Sequence, residues 1–419
     1  MFDLDRWQEI WITITRNKMR SFLTAFGVFW GIFMLVVMAG AGYGMQNSII
    51  SGFDGFAVNS AFFFTNRTSE AYKGFRKGRS WDFQNEDLSI LKSQVKELQY
   101  ISPMLLGGRR DNNTVRQDKY GSFHIKGLHY NYTKIDPLDI LKGRFINEID
   151  LEERRKVCVI GKKVYEDMFD VDENPIGQLI KVNGIYYSII GVVEPVVTNV
   201  NIGGNNREAI ILPYTVMQQT YNRGDVIDCI AITAYSNIPI SDVEEKVKSI
   251  LKQKHSIAPN DNQAVDDFNA EKMFKMISNV FTGVNVLIWI VGLGTLISGV
   301  VGVSNIMMVT VRERTKEIGI RRALGAKPLS ILVQIMNESL LLTSLAGFFG
   351  LAAGVGLLSL VDMALGEQEK GQGFFLHPQI PFSMAVTAAV ILLASGIIAG
   401  IIPSLRALQV KAIDAIREE

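Results

Sequence analysis

The sequence predicts an α-helical membrane protein. Four transmembrane helices are expected, with a large α/β extracytoplasmic domain inserted between the first and the second. Three observations lead there. Mean hydropathy is +0.17 although charged residues make up 20% of the 419 residues, so apolar and charged residues are segregated along the chain. Four long stretches carry no charge. Lys and Arg gather at some ends of those stretches and not at others.

The uncharged stretches run from Ser21 to Gln46, Met276 to Val311, Ser339 to Val361 and Gly371 to Leu405. A spanning helix needs about 20 apolar residues, which predicts spans over 21–45, 276–311, 339–361 and 381–405. Ala39-Gly40-Ala41 has the small-x-small form of a cleavage site. The apolar run from Phe22 to Ala41 is longer than a usual h-region of about 7–15 residues, so the first span reads as an uncleaved signal anchor. The second stretch is too long for one bilayer: its 36 residues would reach about 54 Å against about 30 Å of hydrocarbon. It is expected to continue outward as a rigid stalk. Gly27 and Gly31, Gly350 and Gly354, and Gly396 and Gly400 each stand four apart, a spacing that lets helix backbones approach closely in lipid. They mark a subunit interface, packing within one four-helix unit, or only the high glycine frequency of membrane helices.

Orientation follows from the positive charges. Residues 1–20 hold Arg6, Arg16, Lys18 and Arg20; residues 312–338 hold six Lys and Arg; the tail 406–419 holds Arg406, Lys411 and Arg417; the short loop 362–380 holds only Lys370. Both termini and the 312–338 loop are therefore expected in the cytoplasm, and residues 46–275 and 362–380 outside. Leu4, Trp7, Trp11 and Ile14 fall at helical spacing, which suits an amphipathic helix on the inner membrane face.

The inserted segment reads as mixed α and β. Residues 83–98 suggest an amphipathic helix entered through Asn85, and Lys156–Ile160 a strand followed by a helix over Lys162–Phe169. Leu179–Val193 suggests two strands joined by Asn183-Gly184, a strong hairpin signal. Residues 226–235 suggest a further strand, and Ser241 with Glu244 a capping box before a helix to His255. Strands separated by helices point to βαβ-like units. Asp136, Asp139, Asp150 and Glu152 read as a solvated rim. The basic run Lys73-Gly-Phe-Arg-Lys-Gly-Arg79 reads as a flexible loop or a contact for an anionic ligand or partner. Cys158 lies in an apolar strand, and a Cys158–Cys229 disulfide is left open.

Several chemistries find no footing. Two cysteines and four histidines exclude a disulfide scaffold and a Cys-rich metal site. There is no P-loop, nucleophile elbow, HExxH or EF-hand pattern. A net charge of +1 supplies no field for nucleic acid. The spans lack the midplane charges of an ion-coupled transporter.

The most specific segment is Val311-Arg-Glu-Arg-Thr-Lys-Glu-Ile-Gly-Ile-Arg-Arg-Ala-Leu-Gly-Ala-Lys-Pro328. A helix through Leu324, stopped at Gly325 and followed by Pro328 at the start of the next helix, makes a short charged knob suited to a cytoplasmic partner. Its run ERTKEIGIRRALGA closely resembles the cytoplasmic signature of MacB/FtsX-type ABC transporter permeases. Asn17–Val28 resembles the start of that family's first span. Gly143-Arg-Phe145, Val157–Gly161, Pro175-Ile-Gly177 and Ile189–Val193 resemble its periplasmic core domain. Pro403-Ser-Leu-Arg-Ala-Leu and Ala412–Arg417 resemble its ending.

The resemblance implies a non-catalytic permease subunit of the bacterial inner membrane. It implies a dimer with a second permease, and an ABC ATPase in trans that binds ATP and Mg, with no cofactor in this chain. ATPase closure would move the stalk and act on substrate already outside the membrane. Glu313, Arg314, Thr315, Lys316, Glu317, Ile318, Gly319 and Arg321 would sit in the ATPase groove. Export through an adaptor and outer-membrane channel is the leading expectation, with lipoprotein release or another envelope task, and a membrane sensor or scaffold, as alternatives.

Overall fold

The computed structural model describes residues 18–53, 55–107, 113–196, 200–365 and 375–409. The helix expected at Leu4, Trp7, Trp11 and Ile14 lies outside them, as do residues 366–374 and the tail beyond Gln409. In chain order the elements are α1 (Lys18–Ser51), β1 (Ser60–Thr65), β2 (Phe83–Gln84), α2 (Asn85–Gln94), β3 (Leu98–Leu106), β4 (Thr114–Arg116), β5 (Lys119–Gly121), β6 (His124–Leu128), β7 (Leu138–Gly143) and α3 (Glu148–Glu152). There follow β8 (Val157–Gly161), α4 (Lys162–Met168), β9 (Leu179–Val182), β10 (Ile185–Pro195), β11 (Ala209–Pro213), α5 (Tyr214–Thr220), β12 (Val226–Ile227), β13 (Cys229–Ala234), α6 (Ile240–Lys254) and β14 (Val265–Asn269). The last four are α7 (Ala270–Glu313), α8 (Thr315–Ala323), α9 (Pro328–Leu365) and α10 (Phe382–Leu408). Residues 50–279 form one unit; residues 1–49 and 280–419 form the other.

In the first unit one sheet of twelve strands runs β14-β1-β13-β3-β6-β11-β8-β10-β9-β4-β5, with β7 paired to β10. The expected βαβ units are a minority, because only β8/β10 and β6/β11 run parallel. The other neighbours are antiparallel, and two of those pairs, β4/β5 and β9/β10, are joined by tight turns. Asn183 (φ 50°) and Gly184 (φ 88°) form such a turn between β9 and β10, both in the left-handed region that a type I′ turn requires. One apolar core packs α2 and α6 against β1 and β13 through Phe63, Leu91, Ile230, Val247 and Leu251. A second gathers Ile125, Ile160, Val164, Tyr187, Ile189 and Leu212 around β6, β8, β10 and β11.

Three local expectations change in the fold. The helix expected over 83–98 shrinks to α2, because Phe83 and Gln84 pair with Ile227 and Val226 as strands and buried Val95 turns extended. The strand expected over 226–235 breaks at Asp228, whose carboxylate accepts the Leu106 N–H at 2.8 Å. Ser241 and Glu244 form no capping box. Pro239 occupies the cap position, Ser241 donates its N–H and Oγ to Glu271, and Glu244 is buried among Lys248, Lys272 and Asn269.

In the second unit α1, α7, α9 and α10 are each long and apolar enough to cross a membrane. Phe22, Phe26, Trp30, Ile290, Ile297, Phe348 and Ile398 stand exposed on them, as lipid-facing residues would. The chain is an integral membrane protein. α7 is a single helix of 44 residues, about 66 Å at 1.5 Å per residue. It starts at the residue after β14, where Asn269 Oδ1 accepts the Lys272 N–H at 3.0 Å. α9 begins at Pro328, ahead of the charge-free stretch that starts at Ser339.

The paired glycines settle against helices of their own chain. A Cβ on Gly27 or Gly31 would meet the α7 backbone at Gly299 or Leu296, 3.3 Å away. One on Gly350 would meet the carbonyl oxygen of Phe29 in α1 at 2.5 Å, and one on Gly354 the Val36 side chain at 2.7 Å. Gly396 faces Thr343 and Gly400 faces Met336 and Ser339, so α10 rides on α9 along a seam of small residues where Ser339 Oγ also donates to Gly396 O at 3.2 Å. Backbone approach between α1 and α7, α1 and α9, and α9 and α10 therefore depends on the absence of side chains at these positions.

Candidate functional site

α8 is nine residues long and would be marginal alone. Its ends and one face are secured by the rest of the second unit. Gly325 (φ 91°) ends it: the Ala326 N–H reaches Arg321 O at 3.0 Å and the Gly325 N–H reaches Arg322 O at 3.1 Å, the pairing of a Schellman motif. Pro328 then starts α9, where its missing N–H costs nothing. Ile318 is buried in one cluster with Met307 and Val311 of α7 and Ile331 and Ile335 of α9. Arg314 Nη1 bonds Glu338 Oε1 at 3.3 Å, Arg321 Nη1 bonds Gln334 Oε1 at 3.1 Å, and Arg322 Nη1 bonds the Leu408 carbonyl of α10 at 2.9 Å. The short helix is thus tied to α7, α9 and α10 together.

The residues singled out in the sequence divide between two faces. Glu313 ends α7, and Glu313, Lys316 and Glu317 are exposed. Thr315 donates to Arg312 O at 2.7 Å, and Arg321 pairs with Glu317 at 2.9 Å. Ile318 and Gly319, both expected in the ATPase groove, are buried, and Ile320 beside them is the apolar residue offered outward. Leu324 (84% exposed) and Leu329 (71%) add to that outer surface and were not singled out in the sequence. The signal that finds Leu324 is helical spacing, since 317, 320 and 324 stand three and four apart; no such signal finds Leu329, which lies in α9.

The first unit holds a second polar cluster. Asp136 and Asp150 are buried, not part of a solvated rim; Asp139 and Glu152 are exposed. Asp150 pairs with Arg144 and accepts the Asn147 N–H at the start of α3. Asp136 accepts from Tyr132 at 2.8 Å and from Asn206 at 3.0 Å. Lys126 donates to Ile202 O, Gly204 O and Asn206 Oδ1 at 2.6–2.8 Å, fastening the 202–206 loop to β6. Burial raises the Asp136 carboxyl to about 6 and lowers the Lys126 ammonium to about 8. Cys158 and Cys229 are free, buried thiols. Among the described residues no group of three or more His, Cys, Asp or Glu comes together to hold a metal ion.

Four apolar helices, with an α/β domain inserted in the chain between the first and second and a structured loop between the second and third, define the class as an integral membrane protein. The chain belongs to the MacB/FtsX-type ABC permeases: residues 21–250 match the MacB-like periplasmic core domain and residues 289–412 the FtsX-like permease C-terminal region. It is 28% identical over 416 residues to the macrolide export ATP-binding/permease protein MacB of Vibrio parahaemolyticus, covering 97% of this chain and 59% of that protein. It is 25% identical over 413 residues to the ABC transporter permease YknZ of Bacillus subtilis, covering 97% of each. It is 26% identical to the pyoverdine export ATP-binding/permease protein PvdT of Pseudomonas entomophila, covering 99% of this chain and 59% of that protein. The chain spans about three fifths of the length of the macrolide and pyoverdine export proteins it matches. The periplasmic region of MacB from Actinobacillus actinomycetemcomitans aligns with a TM-score of 0.44 at 18% identity, over 55% of this chain and 98% of that one.

Proposed function

We propose that this chain is a non-catalytic permease subunit in which ATP hydrolysis by a separate ABC ATPase drives a conformational change of the extracytoplasmic domain. The purpose is export of drugs, peptides or other periplasmic substrates through an adaptor and an outer-membrane channel. ATP and magnesium bind the ATPase. A second permease, identical or different, completes the dimer. The chain sits in the bacterial inner membrane with both termini and the 312–338 loop in the cytoplasm.

The observation that carries this reading is the build of α8. It offers Lys316, Glu317 and Ile320 outward, with Glu313 and Leu324 exposed just before and after it, while its base is fastened to three helices. A partner that pushes on that face moves those three helix ends as one body. α7, one of the three, continues without a break to Ala270. The printed names of the macrolide and pyoverdine relatives favour export as the task.

The test is gentle-detergent purification from the native cell. An ABC ATPase is expected with the wild-type chain. The variant Leu324→Asp should lower ATPase recovery about tenfold, as loss of an exposed apolar anchor does at an interface, while leaving the melting temperature unchanged. Recovery of an adaptor and an outer-membrane channel supports export. An ATPase without them points to lipoprotein release or another envelope task. A wild-type chain that never brings an ATPase defeats the reading.

A further inference from the structure

The basic run between β1 and β2 is an ordered arm. The Thr68 N–H bonds Arg79 O at 3.1 Å and the Gly78 N–H bonds Thr68 O at 2.7 Å. Tyr72 and Phe75 exchange both backbone hydrogen bonds across the tip, at 3.1 and 2.9 Å, with Lys73 (φ 47°) and Gly74 (φ 82°) making the turn. The base is anchored twice. Arg79 donates to the carbonyls of His255 and Ser256, and the Asp261 carboxylate accepts from the Ser69 N–H and Oγ and the Glu70 N–H.

What this frame displays is a cluster of positive charge. Lys73, Arg76 and Lys77 are all exposed, and none has an ion-pair partner among the described residues. Phe75 stands among them, 47% exposed, with the Arg79 guanidinium 4.2 Å from its ring centre. That stacking fixes the ring in place.

We propose that this hairpin is a docking arm for an acidic extracytoplasmic protein, which sets carboxylates against Lys73, Arg76 and Lys77 and an apolar side chain against Phe75. An aromatic residue beside Arg, displayed on a locked backbone, is the composition of protein interface anchors. A tip already held in one shape loses little entropy on docking, an advantage only against a partner of fixed shape. A fluid anionic lipid surface would need the charges and not the frame. The inference goes beyond the permease reading and stands whether or not an ATPase partner is found.

The test places a photo-cross-linking side chain at exposed Ala71 of the full-length chain and irradiates native cell envelopes. The protein peptide that becomes attached is then sequenced. It should be rich in Asp and Glu. Cross-link yield should fall about tenfold in K73E/R76E/K77E, because reversed charges repel the partner, and recover when the partner's carboxylates are changed to Lys. High salt should weaken the wild-type cross-link in the same way, since the screening length drops from about 10 Å at 0.1 M to about 3 Å at 1 M; this arm does not depend on how the variant folds. A cross-linked peptide without acidic residues, a yield indifferent to charge and salt, cross-links to phospholipid alone, or no cross-link at all would each overturn the proposal.

Discussion

Arg314 Nη1 lies 3.3 Å from Glu338 Oε1, which joins the residue that precedes α8 to a carboxylate inside α9. The Glu338 side chain is 6% exposed and that of Arg314 27%. A carboxylate that dry at the start of an apolar span needs a cation beside it. The pair therefore couples the placement of α8 to the placement of α9.

Breaking the pair on one side should cost more than removing it whole. Arg314→Ala leaves Glu338 without this cation and should destabilise by about 3 kcal/mol, the lower end for a broken buried pair. The double variant Arg314→Ala/Glu338→Ala should be less than additive, with a coupling of about 1–3 kcal/mol. Unfolding in detergent measures the cycle. Additive losses would show that the two side chains act independently.

Two glycines of α9 should respond in opposite directions. A Cβ at Gly350 meets the Phe29 carbonyl oxygen at 2.5 Å, whereas one at Gly356 meets nothing within 4 Å. Gly350→Ala should cost about 1–3 kcal/mol through forced separation of α1 and α9. Gly356→Ala should be neutral or stabilising by up to about 1 kcal/mol from helix propensity. Equal effects on the melting temperature would contradict the close α1–α9 approach.

The Lys126–Asp136 cluster predicts a pH profile with two limbs. The Asp136 carboxyl rises from an ordinary 3.8 to about 6 on folding, so the folded state holds the proton longer and stability falls as pH climbs from about 4 to about 6. The Lys126 ammonium falls from 10.5 to about 8, so the unfolded state holds the extra proton and stability rises from about pH 8 to about 10.5. Asp136→Asn should flatten the acid limb of a melting profile. A limb unchanged in that variant would assign it to other groups.

Orientation can be read by thiol labelling, because the native Cys158 and Cys229 are fully buried and give little background. Tyr120→Cys and Leu324→Cys stand at positions 83% and 84% exposed. In intact spheroplasts a membrane-impermeant reagent should label the first and spare the second. The reverse pattern would invert the proposed topology.

Much of the architecture was legible because its causes are local. An uncharged run long enough to cross a bilayer reads the same in any context, and Asn183-Gly184 makes its turn from its own backbone preferences. Gly325 and Pro328 punctuate the loop for the same reason. Where the reading failed, a distant residue had intervened. Ser241 and Glu244 look like a capping box until Glu271 and Lys272 arrive from a different helix. Asp136 and Asp150 look like surface carboxylates until Tyr132, Asn206 and Arg144 are brought to them.

By itself, then, the sequence determined four spans, an inserted α/β domain and a short charged loop helix, all set by composition and short-range backbone chemistry, while its motifs carried the resemblance to a permease family. Tertiary structure alone decided which side of each element faces inward. The spacing of the glycine pairs names no neighbour; the fold sets them against α1, α7, α9 and α10 of their own chain. Ile318 could have stood on the outer surface, and Ile320 and Leu324 stand there instead. The reason is that helical periodicity makes a face apolar or small without saying what will cover it; only packing against a particular neighbour at a particular distance supplies that choice.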